Sequence, residues 1–526
     1  MSRHAADAEL PPTAADDETR SPARDDEGAN GTPRAAGDAA VGRATDPAAD
    51  AYRAERAAHW DRVACAMRDR RRAFGGTYHR RLEQVYGLLV PPGQRVLEIG
   101  CGDGSLLASL RPSVGVGVDL SPEMVGLAAE RHPAPSLRFI AADAHALDLG
   151  GETFDTIVLS DVVNDLWDVQ AVLERLAPLC TPDTRVILNF YSHLWQWPLA
   201  LAQRLGMARP TLLQNWLTVP DLNNLLHLGG YEPLRHWQEV LWPVPTPGVQ
   251  QLMNKVLVRF PPFSWGAMTN FLVARPARGR RVAAGERPPR VSVIVPARNE
   301  SGNVEAIFDR VPEMGSGTEL LFVEGNSTDD TRAAIRRGLD ARPGRDARLL
   351  VQTGRGKGDA VRLGFAEASG EILMILDADL TVPPEDLPRF VEALASNKGE
   401  FVNGVRLVYP MEKRAMRLLN LAGNKFFSAA FSWLLGQPVK DTLCGTKVLW
   451  KRDYERIAAN RAYFGDFDPF GDFDLLFGAA KLNLKIVDLP VRYRERTYGE
   501  TNIHRWRHGW LLIKMVAFAS TRMKFV

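Results

Sequence analysis

From residue 95 onward, apolar runs of strand length alternate with stretches of helical period, and the alternation opens afresh in the second half of the chain. Short runs at 95–99, 114–118, 137–140, 156–159 and 186–190 read as buried strands, with helices between them at 121–131 and 169–176. Such an order predicts a mostly parallel sheet covered by helices on both faces. A further strand is expected at 270–274, after a Trp- and Pro-rich stretch at 195–265. The chain then turns basic and rich in Pro and Gly (ARPARGRRVAAGERPPR), and a second series starts at 291–295. The fold class expected is α/β with two doubly wound domains, and no internal repeat relates them. Boundaries follow: a disordered tail at 1–50, a first domain at 51–275, a linker at 276–290 and a second domain at 291–526. The tail has almost no large apolar side chains, so it cannot offset the entropy of ordering.

Composition narrows the class. A chain of 526 residues exceeds one ordinary core, since domains typically run about 100–200 residues. Lys+Arg 65 against Asp+Glu 63 leaves a net charge of +2, which gives no pull toward nucleic acid. The cysteines, Cys65, Cys101, Cys180 and Cys444, stand far apart without metal-ligand spacing, as suits a reducing compartment. No secretory signal and no membrane-spanning run of about 18 apolar residues is expected, which places the protein in the cytoplasm.

The segment RVLEIGCGDGS carries the first chemistry. A strand ending in Glu98 runs into Gly100, Gly102 and Gly104, where the backbone must turn tightly and approach a ligand. Some twenty residues on, a second strand ends in Asp119, a position suited to ribose hydroxyls. A dinucleotide fingerprint would need glycine at 105, which is Ser105. Glu98 and Asp103 suit instead a cationic cofactor without phosphate. This pattern resembles the first motif of class I S-adenosylmethionine-dependent methyltransferases, over about residues 60–275. The resemblance implies a Rossmann-like sheet, ribose binding by Asp119, adenine contact by Asp143 and Ala144, and Asp161 at the strand end facing the methyl group. His193 reads either as a base or as a packed side chain, and the Trp-rich stretch either as an acceptor pocket or as core.

The second chemistry begins at VSVIVPARNE, a strand that stops at Pro296 and presents Arg298, Asn299 and Glu300 where open sheets bind ligands. The next strand ends in Glu324 ahead of an STDDT turn, and GRGKGDA sets Lys357 at a helix start, suited to a diphosphate. EILMILDADL then delivers Asp377 and Asp379, two carboxylates able to share a hard divalent cation, Mg2+ or Mn2+. In this order the segments resemble the family-2 glycosyltransferases with the GT-A nucleotide-diphospho-sugar fold, over about residues 290–500. GRGKGDAVRLGF and YRERTYGETN resemble the polyprenyl-phosphate sugar transferases of the dolichyl-phosphate mannosyltransferase kind, with Asn502 in place of their lysine. That resemblance implies that Arg496 and Arg406 face a donor diphosphate or lipid phosphate. A hydroxyl acceptor would need a base, drawn from Asp441, Asp472 and Asp474 with the last two preferred; a phosphate acceptor would not.

The reading is a bifunctional transferase. An S-adenosyl-L-methionine-dependent methyltransferase precedes a metal-dependent enzyme that moves sugar from a nucleotide-diphospho-sugar donor to a polyprenyl-phosphate or glycan acceptor. A first domain that binds its cofactor without turnover is the alternative, and an oxidoreductase fused to a sugar-binding domain a more remote one. The apolar and basic residues from Trp506 read either as core packing or as a contact with the inner face of a membrane.

Overall fold

The computed structural model describes residues 47–69, 76–205, 211–277, 286–406, 418–442, 444–461, 472–491, 494, 496, 498 and 505–525. Most of the expected tail (1–46), part of the expected linker (278–285) and most of YRERTYGETN lie outside them. The first helix, Pro47–Asp69, starts inside the stretch read as tail.

Seven strands form the first sheet: β1 (Arg95–Ile99), β2 (Val114–Asp119), β3 (Leu137–Ala141), β4 (Phe154–Ser160), β5 (Cys180–Tyr191), β6 (Tyr231–Glu239) and β7 (Thr269–Pro276). Their spatial order is β3-β2-β1-β4-β5-β7-β6. The first five run parallel, and β7 is antiparallel to both β5 and β6. Helices fall where their caps allow. Ser121 accepts from the Met124 amide at 3.1 Å ahead of Pro122, and Asp168 accepts from the Ala171 amide at 2.9 Å.

The second sheet holds β8 (Val291–Ala297), β9 (Thr318–Glu324), β10 (Ala347–Val351), β11 (Ile372–Ile375), β12 (Phe401–Val405), β13 (Lys447–Trp450) and β14 (Ile486–Pro490). Its order is β10-β9-β8-β11-β13-β12-β14, with β13 antiparallel to both neighbours. Both sheets are therefore mixed. The central strands β8, β9 and β11, rich in Val, Ile and Leu, are buried on both faces as strands covered on two sides must be. Strand β6 was not legible within the Trp- and Pro-rich stretch. It is an edge strand with a register shift between Pro233 and Arg235, which breaks the period-two pattern.

The two halves pack against one another through buried charge. Arg185 at the start of the β5 ladder donates to Glu400 at 2.7 Å and to the Asn483 carbonyl at 2.8 Å. Arg275 of β7, 1% exposed, donates to the Asn397 side chain and carbonyl at 3.0 and 2.7 Å. Ions taken out of water in this way need their full complement of partners, and Glu400 obtains one more from the Lys485 amide at 2.8 Å. Among the described residues no helix is long and apolar enough to cross a membrane.

Candidate active sites

At the carboxyl end of the first sheet, the turn after β1 passes through Gly100, Gly102 and Gly104, all at positive φ. At Gly102 (φ +51°) a Cβ would meet no atom within 4 Å, so this turn borders open space. Asp119, ending β2, fixes the turn by accepting from the Gly102 amide at 2.9 Å and the Ser121 amide at 3.0 Å. Burial raises its carboxyl above the ordinary value against those bonds. Glu98 is 2% exposed; burial pushes its carboxyl well up, and its Oε2 has no hydrogen-bond partner. A buried carboxylate oxygen left unmatched is costly, and it suits a cationic or N–H-bearing ligand.

Two more of the expected residues close this end. Asp143 caps the short turn Ala144–Ala146, accepting from the His145 amide at 3.0 Å, with His145 Nδ1 at 2.7 Å and Arg53 at 3.4 Å. Ala144 is buried beneath it. Asp161, after β4 at φ 56°, accepts from the Tyr78 hydroxyl at 2.8 Å and the Asn189 amide at 2.5 Å. Burial raises it to about 7. Tyr78 and Asn189 escaped the sequence reading, because nothing local links residues 83 or 28 positions away. His193 sits in a turn beside Trp216, with ring centroids 6.5 Å apart.

The second sheet gathers its residues differently. Asn299 (φ 56°) takes the Thr328 amide at 2.8 Å on Oδ1, while Glu324 takes the Ser327 amide at 2.6 Å; together they tie the loops after β8 and β9. Pro296 and Arg298 flank that tie on the chain that leaves β8. Lys357 opens the helix Lys357–Glu367 and places its ammonium 2.7 Å from Asp377, just past β11. Burial alone would raise Asp377, but Lys357, with Lys447 and Arg406 behind it, brings the carboxyl below its ordinary value. Asp379 accepts from Thr381 Oγ1 at 2.8 Å and from Arg496 at 2.7 Å, and Arg496 reaches Glu300 at 3.5 Å. Glu300 is raised to about 7, chiefly by burial and against the pull of Arg496.

Gly445 is a site position that the sequence reading missed. A Cβ there would fall on the Asp377 carboxylate and the Lys357 ammonium, so only glycine lets this loop pass. The flanking arginine and acids are already engaged. Arg406 makes a two-pronged contact with Asp441 at 2.7 and 2.8 Å, which holds that carboxyl down at about 2. So strongly ionised a carboxylate is a poor base. Asp474 accepts from Arg461 at 2.8 Å. Asp472 opens the helix Asp472–Lys481, and its side chain lies outside the described residues.

The carboxylates Asp377 and Asp379 are hard oxygen donors of the type that binds a divalent cation jointly with substrate phosphates. Among the described residues no group of three or more His, Cys, Asp and Glu converges to cage one. The pair fits such an ion on one condition. Lys357 and Arg496, which now balance the two charges, must turn toward the phosphates that arrive with it.

The family model for glycosyl transferase family 2 matches residues 292–457, and a methyltransferase domain model matches residues 96–183. An undecaprenyl-phosphate 4-deoxy-4-formamido-L-arabinose transferase of Sodalis glossinidius is 30% identical over 239 residues, covering 44% of this chain and 68% of that protein. The chain belongs to glycosyl transferase family 2. To its family-2 domain it adds the methyltransferase domain that precedes it. A dolichol-phosphate mannosyltransferase of Saccharomyces cerevisiae is 41% identical over 109 residues, and the chain spans only 40% of that relative's length. Among solved structures, M. tuberculosis glucosyl-3-phosphoglycerate synthase aligns with 45% of this chain and 81% of its own, at 22% identity and a TM-score of 0.32.

Proposed function

We propose that the protein transfers a sugar from a nucleotide-diphospho-sugar to a polyprenyl phosphate in its second domain. Its first domain would transfer a methyl group from S-adenosylmethionine. The observation that carries the first half of this reading is the meeting of Lys357, Asp377, Asp379 and Arg496 from three segments at one strand end. Paired carboxylates would hold a divalent cation, which neutralises the diphosphate as it leaves. Lys357 and Arg496 would bind phosphate oxygens, Arg496 with its planar fork. Pro296, Arg298, Asn299, Glu300 and Glu324 would frame the nucleoside. An acceptor phosphate is already an anion, so the engagement of Asp441 with Arg406 and of Asp474 with Arg461 leaves that chemistry intact. The relatives named for undecaprenyl and dolichol phosphates support this acceptor over a glycan.

In the first domain, Gly102 borders the space for the cofactor, Asp119 would take the ribose, Asp143 and Ala144 the adenine, and Glu98 and Asp161 the cationic end. Domain limits of 51–275 and 291–526 accompany this reading. So does contact with a membrane surface, which suits a lipid acceptor. It is supported by the exposed Trp197, Leu201, Trp265, Phe426 and Trp510, and by the lack of any acidic residue at 240–285 and 501–526. The deciding experiment supplies full-length protein with labelled nucleotide sugars, Mn2+ and a polyprenyl phosphate, and looks for label in the lipid phase. Label that stays in the aqueous phase for every donor sugar would refute the acceptor assignment. Methyl label from S-adenosylmethionine that reaches no component of a cell extract would refute turnover in the first domain.

A further inference from the structure

Where the two halves meet, lined by residues other than those of the two strand-end sites, lies a crevice of about 60 Å³. Arg81, Arg235 and Arg259 of the first half line it, together with Lys524 of the second. Its one carboxylate, Glu239, is already shared. It accepts from Arg81 at 3.0 Å, from Arg259 at 2.6 Å and from the Trp237 indole at 3.0 Å. With Lys524 protonated, the lining therefore holds three positive charges more than negative ones.

Arg235 is the least compensated of the four. Its guanidinium lies over the Trp237 ring at 5.0 Å, and its stem packs where a Cβ on Gly436 would sit 3.3 Å away. Its Nε is buried without a hydrogen-bond partner, as is that of Arg259, and among the described residues no carboxylate pairs with Arg235. Lys524 lies over the Trp433 ring at 5.6 Å, and Glu239, already shared by two arginines, offsets its burial only in small part. Burial pulls Arg235 down to about 10, and burial with Arg235 and Arg259 pulls Lys524 down to about 7. Both shifts mark positive charge that the fold itself does not balance. Burying an unpaired cation is costly, so a group of this kind is suited to a ligand that completes it.

We propose that this crevice binds a phosphate or phosphate monoester, held by Arg235 and Arg259 from one half and Lys524 from the other. Guanidinium forks match phosphate oxygens, and a dianion matches the surplus charge better than a carboxylate would. The apolar wall beside it, where Phe260 stacks on Trp433 at 5.7 Å and meets Phe525 at 6.2 Å, could accommodate the chain of a lipid phosphate. Free phosphate and a lipid headgroup share the chemistry, and the experiment separates them. The site rests on no assumption about either reaction.

The test uses the full chain in phosphate-free buffer. Calorimetric titration with inorganic phosphate should show binding that Arg235→Gln and Lys524→Gln each weaken about tenfold or more. Phosphate should raise the unfolding midpoint of the wild type and not of the variants. Sedimentation with phosphatidylcholine vesicles, plain or carrying a polyprenyl phosphate, assigns the source. Retention that needs both the lipid phosphate and Arg235 identifies a headgroup, and phosphate binding without retention identifies the free anion. Unchanged affinity in either variant overturns the proposal, as does a wild type that binds neither probe. A lower midpoint for Arg235→Gln in phosphate-free buffer also overturns it, because the guanidinium would then be a strut rather than an unpaired charge.

Discussion

The two strand-end clefts satisfy their carboxylates in opposite ways. In the first domain Asp119 and Asp161 are held by amides, a phenol and a carboxamide, and Glu98 keeps an unmatched oxygen. In the second domain Asp377, Asp379 and Asp441 are each held by a lysine or an arginine. Acidity follows. Glu98, Asp119 and Asp161 are raised, whereas Asp377 and Asp441 are lowered; the exceptions are Asp143, brought down against its burial by His145 and Arg53, and Glu300, raised to about 7 chiefly by burial. A cleft with surplus negative groups suits a cationic cofactor lacking phosphate. One whose acids are already matched by lysine and arginine side chains suits a ligand that brings negative charge and a metal with it.

The comparison breaks hardest at Asp379. Asp379→Ala should lower transfer of labelled sugar on the order of 10³-fold while leaving calorimetric binding of S-adenosylhomocysteine unchanged. Parallel loss of both would show that the clefts are not separate. The mirror experiment, Asp119→Ala, removes one charge-assisted bond to the glycine turn and one to the Ser121 amide, and should weaken S-adenosylhomocysteine about tenfold to a hundredfold, with sugar transfer intact. Gly445→Ala would push a methyl group onto the Lys357–Asp377 pair and should cost about tenfold in sugar transfer. A fully active Gly445→Ala protein would remove that loop from the site.

The smallest effect is on pH dependence. Asp161 is raised in the fold to about 7, so the native state holds a proton that the unfolded chain releases near pH 4. Its contribution to stability is full below the unfolded value and is lost as pH rises through about 7. Relative to Asp161→Asn, the wild type should therefore lose a few degrees of melting temperature between about pH 5 and about pH 8. Parallel melting curves across that range would mean that the carboxylate is not desolvated.

Much of both sites was legible because each motif is local. A strand, a turn that only glycine or a left-handed residue can make, and an acid at the next strand end are read from within about twenty residues. Gly100 to Asp119 is of this kind, as are the separate segments 291–300 and 372–379. The partners of those acids were not legible. Arg496 lies 117 residues from Asp379 and Tyr78 lies 83 from Asp161, and no periodicity links them. Arg406 was read as facing phosphate, and the fold gives it Asp441, 35 residues on.

What the chain determined by itself is therefore the order of the central strands, their apolar character and the acids at their carboxyl ends, because burial period and turn chemistry are properties of neighbouring residues. Only the tertiary structure decided which charge meets which, that β7 and β13 run against their neighbours, and that four cations line one crevice where the halves join, with a single carboxylate shared by two of them. Electrostatic pairing depends on distance in space, and the chain encodes that distance only through the packing of the whole.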